Sequence, residues 1–105
     1  MITKLKKMLG IGPKTDLAAL IASGALIVDV RTKGEYAAGH VKGSVNIPLD
    51  QIESNLKKFK SKDQVIITCC ASGMRSASAK GILSRRGFQN VHNGGSWHKV
   101  EQYCR

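Results

Sequence analysis

No apolar run in this chain approaches the ~20 residues needed to cross a bilayer as a helix. The first residues, MITKLKKMLGIGPK, are basic, but their apolar positions are interrupted and no cleavage-site pattern follows, so they do not read as a signal peptide. Cysteine is scarce and badly spaced for structure. There are three, two of them adjacent, which makes a poor disulfide framework, and no C-x-x-C pair at zinc spacing. Neighbouring Cα atoms lie about 3.8 Å apart, whereas disulfides want more than about 4.4 Å, so Cys69 and Cys70 do not bridge each other. These absences leave a cytoplasmic protein as the expectation. Repeats and low-complexity tracts are also missing.

Acidic residues are few as well. Seven stand against 17 basic ones, a net charge of +10. Nucleic-acid binding is the obvious reading of such an excess. However, the chain has only five aromatic residues, no stacking platform and no nucleic-acid motif, and its lysines are spread along the sequence. A solvated basic surface is the better account, and neither a nucleic acid nor a membrane is expected as a partner. What remains is ordinary for a globular chain: 105 residues, 42% hydrophobic, enough for one core. Residues 1–14 read as a basic extension of that same unit, and 15–105 as the domain proper.

The most informative stretch runs from Gln64 to Gly87. Val65-Ile66-Ile67-Thr68 is short, apolar and β-branched, which suits a strand covered on both faces. A glycine-bearing loop follows, then a helix with Ala77, Ala79, Ile82 and Leu83 on one face, closed by Arg85-Arg86-Gly87. A tight loop entering a helix aims backbone N–H groups at one point and makes a site for an anion. Arg75 adds a forked cation. Cys70 stands where these donors converge, and such surroundings lower a thiol pKa. It therefore reads as a nucleophile; a cysteine packed at a strand end as a small hydrophobe is the alternative. Strand alternation sends Cys69 to the other side.

Other elements follow from pattern. Thr15 reads as the N-cap of a helix through Leu17, Leu20 and Ile21 that stops at Gly24. Ala25–Val30 is a second buried strand, with Asp29 and Arg31 at its C-terminal edge. Thr32 and Glu35 form a capping box for a short helix. Asp29, Arg31, Glu35 and His40 could be acid–base machinery, but a structural network of ion pairs and hydrogen bonds suits them better. Gly43–Ile47 reads as a third strand ended by Pro48. Asp50 and Glu53 suggest a second capping box, opening a helix with the stripe Ile52, Leu56 and Phe59. Phe88–His92 is the last strand, and Gly94-Gly95 after it should pack beside the cysteine loop. His92 and His98 carry no assignment. Alternating strands and helices imply parallel strands.

Three motifs in order carry a family resemblance. CCASGMRSA (Cys69–Ala77) resembles the active-site loop of the rhodanese sulfurtransferases, in which cysteine opens a six-residue loop ending in arginine. LIVDVRTKGEYAAGHVKGSVNIPL (Leu26–Leu49) resembles their DVR–E–GHI–GA–NIP signature, and NVHNGGSW (Asn90–Trp97) their last strand and glycine pair. One departure stands out: the aromatic that usually falls four residues after the second glycine is Lys99 here, and Trp97 lies two residues earlier. The resemblance implies an α/β fold, a central mostly parallel sheet of four to five strands with helices on both faces. It implies thiosulfate sulfurtransferase activity, with Cys70 and Arg75 catalytic and Ala71, Ser72, Gly73, Met74 and Ser76 binding substrate through the loop. Asp29, Arg31, Glu35 and His40 would support the structure. The donor would be a small sulfur anion such as thiosulfate and the acceptor a thiol, a thioredoxin-like protein or cyanide, with no cofactor and no metal. Related cysteine phosphatases and arsenate reductases resemble C-x5-R, one residue longer; C-x4-R here favours a single sulfur atom. A non-catalytic interaction module is the remaining alternative, although such modules often lack the cysteine that this chain keeps.

Overall fold

The computed structural model describes residues 16–104. Thr15 and the basic extension 1–14 therefore lie outside the described residues. Four strands, β1 (Leu26–Asp29), β2 (Val45–Asn46), β3 (Ile66–Cys70) and β4 (Val91–Ser96), form one parallel sheet in the order β2-β1-β3-β4. The helices are α1 (Leu17–Ala22), α2 (Lys33–Ala38), α3 (Met74–Arg85) and α4 (Trp97–Gln102), with two 3₁₀ turns, Leu49–Gln51 and Glu53–Lys58, between β2 and β3. Among the described residues no helix is long and apolar enough to cross a membrane.

The sheet is buried on both sides because its two inner strands send apolar groups both ways. Along β1 and β3, Val28, Ile66 and Cys70 enter one core with Ala79 and Leu83 of α3 and with Ile52, Phe59 and Phe88. The alternate residues Ile27, Ile67 and Cys69 enter a second core with Leu17 of α1 and Val100 of α4. The period-2 alternation of strands thus separates the two adjacent cysteines onto opposite faces. Cys69, buried away from water, has its thiol pushed up to about 12 by burial first of all, and is inert at physiological pH.

Several elements differ from the sequence reading. Asp16 caps α1, its carboxylate accepting from the Ala19 amide at 3.0 Å. Ala77 of α3 faces solvent, and Ser76, Ala79 and Leu83 are the buried face, because the helix turns the hydroxyl of Ser76 toward the sheet. The capping box at Asp50 and Glu53 does not form. Pro48 leads into 3₁₀ turns, Asn55 leaves helical geometry (φ −122°, ψ 23°), and the Ser54 and Asn55 side chains bond the Gln51 carbonyl, competing with a regular helix. Glu53 instead reaches Arg86, at 2.7 Å. Ile52 is buried there all the same, so the apolar stripe found its core without the helix.

The last strand starts later than Phe88 and includes the glycine pair. Between Thr68↔Asn93 and Cys70↔Ser96 the register shifts by one residue, and Gly94-Gly95 absorb that bulge. A Cβ on Gly94 would sit 2.6 Å from Val100, 2.8 Å from Ile67 and 3.0 Å from the Thr68 carbonyl. Gly94→Ala is therefore expected to destabilise the domain by about 3 kcal/mol or more, since overpacking against backbone finds no relief. Urea unfolding of the variant measures this, and a loss below about 1 kcal/mol would show that the bulge yields.

Candidate active site

Cys70 is the last residue of β3, and α3 begins four residues later. The chain turns in between by placing Gly73 at φ 102°, a conformation costly for residues with a Cβ. Gly73 is also the N-cap of α3, so the helix has no side chain to satisfy its first N–H groups. The sulfur of Cys70 takes that place. Gly73 N donates to Sγ at 3.0 Å and Ser76 N at 3.4 Å. A second constraint is the neighbouring strand: a Cβ on Gly73 would stand 3.3 Å from Gly95 Cα. The loop and the glycine pair are packed together, as the spacing of the motifs suggested.

Burial of Cys70 works to raise its thiol. Against that, the Ser76 hydroxyl and the amides of Ser76, Gly73 and Ser72 hydrogen-bond the sulfur, and together they outweigh burial: the net shift is downward. Cys70 is 0% exposed, so only a small terminal atom can reach it, and only as the loop gives way. Ala71 and Ser72 are exposed on the loop, and Met74 projects into solvent with 78% of its surface accessible.

Arg75 does not stand free. Its two terminal nitrogens bind both oxygens of Glu35 at 2.7 and 2.9 Å. Glu35 also completes the capping box of α2, accepting from the Thr32 amide at 3.0 Å while its own amide donates to the Thr32 hydroxyl. One carboxylate thus ties the loop after β1 to the loop after β3. The Arg75 guanidinium and then the Thr32 amide hold the Glu35 carboxyl at about 2, well below 4.5. A group with a depressed folded-state pKa contributes stability above its unfolded value and loses it as pH falls through the folded one. The Glu35 contribution is therefore whole above about 4.5 and fades toward 2. Unfolding measured at pH 7 and at pH 3 should differ less for Glu35→Gln than for the parent chain. An equal difference would mean that the pair adds nothing beyond what its exposed position suggests.

Asp29 and Arg31 form a separate, buried unit. The Asp29 carboxylate accepts from the Arg31 amide, from Nε and from a terminal nitrogen, the last at 2.7 Å. Arg31 also donates to the Gly39 carbonyl at 2.7 Å and lies over the Trp97 ring, 4.7 Å from its centroid. So Trp97, displaced by two residues from the usual aromatic position, packs under β1 and against Gly39. His40 stacks on Tyr36 at 3.7 Å and contacts the Tyr36 carbonyl through Nδ1. Glu35 thus joins Arg75, Arg31 joins Asp29, and His40 keeps to its own helix; the four do not form one network. Asn93 went unnoticed in the sequence. Its Oδ1 accepts from Gly95 N at 2.9 Å and from the Ser76 hydroxyl at 2.6 Å, and its Nδ2 donates to the Gly73 carbonyl at 3.2 Å. An asparagine two residues before a glycine is a turn signal that could have drawn notice.

Beside Arg75 an open groove of about 270 Å³ is lined by Val30, Thr32, Pro48, Leu49 and Asp50, at the C-terminal edge of the sheet. Among the described residues no three His, Cys, Asp or Glu side chains gather as a metal site would need.

A parallel α/β sheet with a cysteine cradled at the entry to a helix defines a class of cysteine-loop domains. The Rhodanese-like domain family matches residues 13–102, and the chain belongs to that family. Thiosulfate sulfurtransferase PspE of Escherichia coli is 35% identical over 69 residues, covering 65% of this chain and 66% of that protein. The putative sulfur carrier protein YrkF of Bacillus subtilis is 37% identical over 67 residues, 64% of this chain but only 36% of YrkF. The match thus spans just under two thirds of one curated relative and about a third of the other. Among solved structures, a rhodanese with anions from E. coli superposes with a TM-score of 0.69 at 31% identity, covering 72% of this chain and 91% of that one.

Proposed function

We propose that this protein is a sulfurtransferase that moves a sulfane sulfur from thiosulfate or a persulfide donor to a thiophilic acceptor, through a persulfide on Cys70. The observation that carries the reading is the convergence of the Gly73 and Ser76 amides on Sγ. In the first step the Cys70 thiolate attacks the outer sulfur of thiosulfate. A new S–S bond forms, the old one breaks, and sulfite leaves with its electron pair. The terminal sulfur carries the negative charge, and the amides from Ala71 to Ser76 surround it. In the second step the acceptor attacks that outer sulfur; with cyanide, thiocyanate leaves and the thiolate returns. Arg75, paired with Glu35, adds positive charge at the rim of the loop, where an anionic donor arrives. Asp29 and Arg31 keep the neighbouring loops in register, and His40 braces α2. Names of relatives support the same chemistry, one a thiosulfate sulfurtransferase and one a putative sulfur carrier. Three unpaired thiols suit a reducing compartment such as the cytoplasm.

The test is the intact mass of reduced protein after thiosulfate, then after cyanide. A gain of about 32 Da on Cys70 that cyanide removes is the expected result for a covalent sulfur intermediate. If neither thiosulfate nor a small-molecule persulfide loads Cys70, the reading fails.

A further inference from the structure

The Ser76 hydroxyl has one proton and three acceptors within reach. Asn93 Oδ1 lies at 2.6 Å, the Gly73 carbonyl at 3.1 Å and Cys70 Sγ at 3.5 Å. The competition can be ranked by counting lone pairs. The Gly73 carbonyl already accepts from Ala77 N at 3.0 Å and Asn93 Nδ2 at 3.2 Å, which fills it. The amide of Asn93 has only one workable orientation. Gly95 N, a backbone donor, points at one of its terminal atoms from 2.9 Å, so that atom is the oxygen. The shortest of the three contacts therefore holds the proton: Ser76 O–H donates to Asn93 Oδ1. Its oxygen is left with a lone pair toward Cys70, able to accept an S–H.

A sulfur anion needs the opposite. It accepts and cannot donate, so Ser76 serves it only after turning its proton away from Asn93. We propose that Asn93 is a positioning residue for the sulfur chemistry, holding the Ser76 proton while Sγ is neutral and releasing it to Sγ when that sulfur becomes an anion. The proposal rests on the persulfide reading. In the second step the acceptor attacks the outer sulfur, the S–S bond breaks and its electron pair goes to Cys70 Sγ. At that moment the Ser76 O–H turns from Oδ1 to Sγ. No proton changes owner; one hydrogen bond is exchanged for another. The arrangement places the donor to the leaving sulfur under the control of a side chain on β4, which touches no reacting atom.

The experiment is the pH dependence of Cys70 alkylation by iodoacetamide in the full chain, with Cys69 and Cys70 separated by fragmentation of the labelled peptide. Four proteins are compared: the parent, Asn93→Ala, Ser76→Ala and the double variant. Without Asn93 the Ser76 proton is free for the sulfur. The midpoint of alkylation should then fall, with Cys70 reacting about 3-fold faster below it, because thiolate is gained faster than nucleophilicity is lost. Ser76→Ala should raise the midpoint, and adding Asn93→Ala to it should change nothing further. A merely structural role predicts a looser cradle and a raised midpoint in both backgrounds; that result, or an unchanged midpoint, overturns the proposal. Should Asn93→Ala fail to fold, the near-isosteric Asn93→Asp decides: it should raise the midpoint more with Ser76 present than without it, and equal shifts overturn the idea. Alkylation needs no sulfur donor. If thiosulfate and a persulfide leave the parent chain unloaded, the function falls, while the alkylation series still reports on the Ser76 proton.

Discussion

Replacing Cys70 with serine is expected to abolish sulfur loading and cyanide-dependent turnover, a loss on the order of 10⁴-fold or more, as for the removal of other covalent nucleophiles. The fold should survive. A serine oxygen in the same place can still accept from Gly73 N and Ser76 N, so the start of α3 keeps a partner for its N–H groups. Intact mass after thiosulfate and an unfolding curve together check the prediction. Sulfur that still loads onto the variant would remove Cys70 as carrier. A lost transition would instead show that the sulfur is needed to close the loop.

Arg31→Met should produce the largest loss of stability, about 3–5 kcal/mol, the range for breaking a buried ion pair from one side. The methionine keeps a long stem against Trp97, so the change isolates the charge. Asp29 would be left buried with only the Arg31 backbone amide of its present donors, and the Gly39 carbonyl would lose its partner. Against a typical total of 5–15 kcal/mol, this places the variant near its unfolding threshold. Removing both charges together, in Asp29→Leu/Arg31→Met, should recover much of the loss, because no uncompensated charge remains. Urea unfolding of the single and double variants measures both effects. A single-variant loss under about 1 kcal/mol would mean that water already reaches the pair.

Much of this was legible along the chain. The runs LIVD and IITCC are apolar on both faces, and a strand that is hydrophobic throughout has to be covered twice, so a parallel sheet between helical layers followed. Gly73 marked the turn, and the cysteine before it marked the point at which amides converge. The Thr32–Glu35 box was readable because capping is local, its partners three residues apart. Elsewhere local signals misled. Asp50 and Glu53 have the spacing of a capping box, but Pro48, Ser54 and Asn55 offered the backbone better partners nearby.

The sequence by itself determined the elements, the cysteine at the corner and the family, because these depend on residue type and near neighbours. Only the tertiary structure decided which distant groups meet. Glu35 and Arg75 are forty residues apart and pair because β1 and β3 are adjacent in the sheet. Ser76 and Asn93 meet because a one-residue bulge at Gly94-Gly95 sets β4 against the loop. Long-range contacts of this kind depend on strand order and register, which no local pattern specifies.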